Sequence, residues 1–127
     1  MENSEIRTII ERYTEAYNSF DVEGMMEYMH PEIVFENISD GEATLTLNGT
    51  DSFRAQAQEA AGYFSERQQR ITNLEVQGDK AVVEVDYAAV LAIDLPNGLK
   101  AGDKLELQGK SVFTFKDGKI IRLQDFS

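Results

Sequence analysis

A chain of 127 residues has the length of a single domain, and 42% hydrophobic content with only two prolines gives it a real core. The absence of cysteine excludes a disulfide framework, a thiolate metal site and a cysteine nucleophile. The net charge is −11, with 14 acidic and 3 basic residues in positions 1–66 against 9 of each in 67–127; such a surface repels phosphate backbones and argues against a nucleic-acid partner.

The opening "MENSEIRTII" has no basic region ahead of an apolar run, and no segment reaches membrane-span length. A cytoplasmic protein with no membrane partner is therefore expected, and the glycosylation-type triplets at Asn37 and Asn48 carry little weight. Ile6, Ile9, Ile10, Tyr13, Ala16, Tyr17 and Phe20 recur in steps of three and four, the stripe of an amphipathic helix. Asp21 suits the N-cap of a second, shorter helix carrying Val22, Met25, Met26 and Met29, with Pro31 expected to end it. His30, at that helix end, is the chain's one histidine, so a zinc site is not expected.

"HPEIVFEN" (30–37) follows as a strand. Ile33, Phe35 and Asn37 share a face at strand period, which sets an amide among core side chains. "NISDGEA" is a turn and "TLTL" (44–47) a short strand. "NGTDS" introduces a third helix with Phe53, Ala57, Ala60, Ala61 and Phe64 on its buried face. From Arg67 four antiparallel strands are expected, separated by "GD", "PNGLKAGD" and "KDGK". Alternation turns Val83, Val85, Tyr87, Ala89 and Leu91 inward on the second of these. On the third it picks out Leu105, Leu107, Ser111, Phe113 and Phe115, and on the last Ile121, Leu123 and Asp125. Glu84 and Asp86 fall on the outer face. Helices beside a mainly antiparallel sheet define an α+β domain spanning 1–127, with a ligand cavity between the layers.

"IIERYTEAYNSFDVEGMMEYMHPEIVFEN" and "FTFKDGKIIRLQDF" resemble the opening and closing segments of the nuclear transport factor two-like superfamily. That group includes SnoaL-like polyketide cyclases, ketosteroid isomerase and limonene epoxide hydrolase. The resemblance implies a cone-shaped curved sheet packed on three N-terminal helices, and a homodimer formed through the outer face of the sheet. Tyr13 matches the isomerase's oxyanion-hole tyrosine, but Asn37 stands where that enzyme keeps its base and Ser111 where it keeps a second acid. An amide cannot take a proton at neutral pH, so the isomerase mechanism is excluded.

The epoxide hydrolase orients its water with a strand-one tyrosine and asparagine and a last-strand aspartate, to which Phe35, Asn37 and Asp125 correspond. Its remaining Arg and acid would fall near Val85 and Tyr87, so Glu84 or Asp86 could serve only on a bulged strand. SnoaL-like cyclases use an inward aspartate as a base without metal or cofactor, and Asp125 matches that position.

The resemblance thus implies Asp125 as base with Asn37 and Tyr13 as polar helpers. Phe35, Tyr17, Met29, Phe53, Tyr87, Ser111 and Phe113 would contact a small apolar, oxygenated molecule, with no cofactor. Each residue also has a plainer reading. Asp125 could be a solvated strand-end carboxylate, Asn37 an amide paired with loop backbone, the two tyrosines core residues, and the methionines adaptable packing. A non-catalytic ligand-binding or protein-association module is the competing function.

Overall fold

The computed structural model describes residues 1–126. Helix α1 (Asn3–Asn18) buries Ile6, Ile9, Ile10, Tyr13 and Ala16 along the predicted stripe. Phe20, at φ 60°, turns the chain sharply after it. Asp21 then caps α2 (Val22–Met26), its carboxylate accepting the Gly24 N–H at 3.0 Å. A Cβ on Gly24 would lie 2.5 Å from Asp21 Oδ2, so the cap requires glycine here.

Contrary to the expectation from Pro31, α2 ends at Met26 and strand β1 (Met29–Ser39) is already under way at Met29. Pairing with the neighbouring strand is interrupted between Met29 and Val34. That irregular stretch accommodates a proline, which has no N–H for a ladder. His30 accordingly sits on a strand rather than at a helix end, its Nδ1 accepting the Glu32 N–H at 3.0 Å.

Asp40 and Gly41, both at positive φ, turn β1 into β2 (Glu42–Asn48). Helix α3 (Thr50–Ala61) buries Phe53 and Ala57. Phe64 opens β3 (Phe64–Gln77) rather than closing α3. Strands β4 (Lys80–Leu91), β5 (Lys104–Lys116) and β6 (Lys119–Phe126) complete a six-stranded sheet of order β2-β1-β6-β5-β4-β3.

All neighbours are antiparallel except β1 and β6, which run parallel. The result is an α+β cone: three helices against one face of a curved, unclosed mixed sheet. Ile6, Ile10, Ile33, Val83, Leu91, Ile120 and Leu123 are the largest fully buried side chains among the described residues, each contributing about 1.5–3 kcal/mol of burial.

Two inward positions differ from simple alternation. A register shift between Thr114 and Phe115 gives the core position to Ile120 instead of Ile121. Leu107 pairs with Tyr87 but is 58% exposed, lying at an end of β5 that the core does not cover. Between β4 and β5 the ladder shows no such shift. Glu84 and Asp86 therefore stay on the outer face, where Asp86 accepts from Arg70 at 2.6 Å. No helix is long and apolar enough to cross a membrane, among the described residues.

Candidate functional site

The parallel pairing of β1 and β6 sets Asn37 directly beside Asp125. Both face the helices at the wide end of the cone, where a cavity of about 190 Å³ lies between α1, α3 and the sheet. Its walls are Met25, Phe35, Leu45, Leu47, Phe53, Ala57 and Ala60, and its polar groups are Tyr13, Tyr17, Asn37, Gln56, Arg67 and Asp125. Phe35 and Phe53 meet edge to face at 5.2 Å between ring centres, which joins β1 to α3.

Asp125 has one fixed partner. Ser111, its neighbour across the β5–β6 pair, donates its hydroxyl to Oδ1 at 2.7 Å. Asp125 is half-buried, at the wall of the cavity. Burial pushes its pKa up to about 6, against the opposing effect of the Ser111 hydrogen bond.

Burial, and then the nearby Asp125 charge, raise the pKa of Tyr13, so its hydroxyl stays protonated and can donate. Tyr13 is anchored edge to face on Phe113 at 5.7 Å. Tyr17 donates to the Tyr87 hydroxyl at 3.0 Å, and burial raises the pKa of both.

Six of the sequence-derived candidates line this cavity: Tyr13, Tyr17, Phe35, Asn37, Phe53 and Asp125. Four do not. Met29 is a core residue of β1 beside Ile120, because the second helix stops before it, and Met25 lines the cavity instead. Phe113 is buried behind Tyr13, while Tyr87 and Ser111 stand behind Tyr17 and Asp125 as supports rather than contacts. Among the described residues no cluster of His, Asp and Glu could hold a metal ion.

Sequence reasoning passed over Arg67, a residue of β3 that lines the cavity and is only 5% exposed. Its Nε donates to the Tyr17 carbonyl at 2.8 Å, and its guanidinium carbon lies 3.8 Å from the Tyr17 ring centre and 4.6 Å from that of Phe20. The end of α1 is clamped beside it, since Asn18 exchanges two hydrogen bonds with the Gln69 backbone. Alternation along "RQQRI" puts Arg67, Gln69 and Ile71 on one face. A charge on the face that also carries Ile71 was the available signal.

An unclosed mixed sheet packed on three helices is the nuclear transport factor two-like fold. The chain belongs within it to the family of the SnoaL-like domain, whose model matches residues 10–123. No curated protein sequence matches it. Among solved structures it is similar to a candidate polyketide cyclase from Xanthomonas campestris, at 20% identity and a TM-score of 0.85, covering 98% of this chain and 90% of that one. A candidate SnoaL-like polyketide cyclase from Jannaschia gives 16% and 0.83, covering 97% and 85%. An LEH-like epoxide hydrolase from M. tuberculosis gives 16% and 0.77, covering 97% and 82%. At these identities the likeness establishes the fold.

Proposed function

We propose that this protein is a cofactor-independent enzyme that moves a proton on a small apolar, oxygenated molecule, with Asp125 as the base. One observation carries the reading: a carboxylate in the wall of a cavity between helices and sheet, with its pKa pushed up to about 6, beside a neutral amide. A base with that pKa is ionised at neutral pH and still basic enough to accept a proton from carbon next to a carbonyl. The C–H electron pair moves onto the carbonyl oxygen as an enolate. Asn37 N–H and the protonated Tyr13 hydroxyl are the donors for that oxygen. Returning the proton to a different carbon completes an isomerisation; in a cyclisation the enolate carbon instead bonds to a second carbonyl carbon, whose π pair moves onto its oxygen, and the protonated Asp125 returns its proton to that alkoxide.

The test is exchange of α-hydrogens of small cyclic ketones and lactones in deuterated water, followed by NMR. Asp125→Asn should slow exchange about 10²–10⁴-fold, the usual worth of a general base. Equal exchange in both proteins removes Asp125 from the chemistry.

The same Asn37–Asp125 pair could hold a water for epoxide opening, and hydrolysis of small epoxides is the parallel assay. Phe35 has no hydroxyl, and Val85 and Tyr87 stand where the hydrolase relay would be, so proton transfer is the reading we favour. The modest cavity, about 190 Å³ against about 300–1,000 Å³ for sites of drug-sized ligands, favours the second class of function, a non-catalytic module that binds a small ligand. Homodimerisation through the outer face belongs to the same proposal, since Val34, Ile38, Val82, Val90 and Val112 are half-buried there in the single chain. Light scattering at micromolar concentration tests it.

A further inference from the structure

The side chain of Arg67 is inconsistent with an empty, purely apolar-binding cavity. A guanidinium carries five N–H donors in a rigid plane and a positive charge. Here Nε alone is engaged, by the Tyr17 carbonyl. Nη2 is buried with no hydrogen-bond partner, and no carboxylate forms an ion pair with Arg67 among the described residues.

Taking such a charge out of water without a counter-ion costs several kcal/mol, and the stacking on Tyr17 and Phe20 offsets only part of it. Arg67 is a wall residue of the cavity that holds Asp125, and it also borders a groove beside Asn18 and Glu66. Its charge acts on the Tyr13, Tyr17 and Tyr87 hydroxyls while Asp125 acts on Tyr13. Arg67 and Asp125 thus share one cavity and both act on Tyr13, yet form no ion pair with one another.

We propose that Arg67 is the anchor for a carboxylate on the ligand, so that the cavity takes a small apolar carboxylic acid and presents its far end to Asp125. This rests on the reading of the cavity as the ligand site and adds the class of ligand to it. A guanidinium N–H donates a charge-assisted hydrogen bond to a carboxylate oxygen, Nη1 is the donor left for it once Nε and the enclosed Nη2 are set aside, and a bound carboxylate supplies the missing counter-charge. The body of the ligand then lies against Phe35, Phe53 and Ala57. The chain's net charge of −11 repels anions in general, which makes a local, buried cation the device required to admit one.

The experiment compares benzoate with benzamide, its neutral near-isostere, by titration calorimetry and by the side-chain Nε–H resonance of Arg67 in ¹⁵N-labelled protein. Benzoate should bind at least tenfold more tightly and shift that resonance, while benzamide should not. Arg67→Met should abolish the preference. Arg67→Lys should keep a reduced one, because the charge remains and the planar fork is lost.

Equal affinity for the two probes, no benzoate binding at millimolar concentration, or an unmoved Arg67 resonance overturns the proposal, and the last needs no variant to fold. Asp125→Asn separates this proposal from the proton-transfer reading. Retained benzoate preference with lost exchange supports both. Retained preference with unchanged exchange removes the base alone, and lost preference in that variant overturns the Arg67 assignment.

Discussion

Ser111 holds Asp125 from the strand next to it, hydroxyl to Oδ1 at 2.7 Å, and so faces the carboxylate without lining the cavity. The bond does two things. It fixes one carboxylate oxygen, and it stabilises the ionised form against burial. Ser111→Ala should therefore raise the Asp125 pKa above about 6, by roughly one pH unit, the effect of one hydrogen bond to a charged group. A ¹³C-detected carboxylate titration reads it directly. An unchanged or lower midpoint would mean that the hydroxyl does not stabilise the anion.

The same carboxylate makes folding stability depend on pH. Asp125 moves from 3.8 to about 6 on folding, so the folded state holds its proton more tightly than the unfolded chain does. Below pH 3.8 both states are protonated and nothing is lost. Between 3.8 and 6 the unfolded chain releases the proton first, and stability falls as pH rises. Above 6 the cost is complete, about 3 kcal/mol at most.

Asp125→Asn removes this ionisation and keeps an acceptor for Ser111. The variant should be more stable than the parent at pH 8 by about 1–3 kcal/mol, with the difference vanishing below pH 4. Urea denaturation at the two pH values checks it, and equal stability at pH 8 would place the carboxylate in water.

Most of the fold was legible because its elements follow simple periods: the α1 stripe from Ile6 to Tyr17, the alternation from Val83 to Leu91, and the capping Asp21. The two errors at Met29 and Ile120 share a cause. Each sits where strand pairing is interrupted, and periodicity cannot report an interruption that depends on the neighbouring strand.

The site was legible in faces and not in neighbours. Period two places Asn37 and Asp125 on inward faces, but their adjacency depends on β1 and β6 running parallel, which neither segment encodes alone. Arg67 was missed for a different reason. A charged residue at a strand start reads as solvated until the Tyr17 carbonyl, the Tyr17 and Phe20 rings and the end of α1 are seen to enclose it.

Gly24 tests the support of the cavity from α2. A helical glycine normally gains about 1 kcal/mol on replacement by alanine. Here the added Cβ would meet Asp21 Oδ2 at 2.5 Å and the Ala16 Cβ at 3.1 Å. Gly24→Ala should therefore forgo the gain and weaken the cap, for a net loss of about 1–2 kcal/mol. It should also loosen Met25 at the cavity wall. Thermal denaturation checks the sign, and a rise in melting temperature would show that Asp21 relaxes freely.

Asn37→Asp would put a carboxylate at the strand-one position where the isomerase keeps its base. In this chain it would also put two carboxylates side by side, because Asn37 and Asp125 are partners in the β1–β6 ladder. Like charges at that separation cannot both ionise cheaply, so the pair should titrate in two steps, with the upper one above the parent's value of about 6. The sign for stability follows. Each carboxyl of the pair holds its proton more tightly in the folded state, so the variant should resemble the parent below pH 4 and lose stability as pH rises through the upper step, by about 2–4 kcal/mol at pH 8.

Exchange activity should shift its pH optimum upward with that step and not gain a second base at neutral pH, because the pair then holds one shared proton. Carboxylate titration and urea denaturation across pH 4–9 give both readouts. Two independent titrations near 4 and 6, with no loss of stability at pH 8, would show that the side chains at 37 and 125 diverge despite their pairing, and would separate the amide from the base it is proposed to assist.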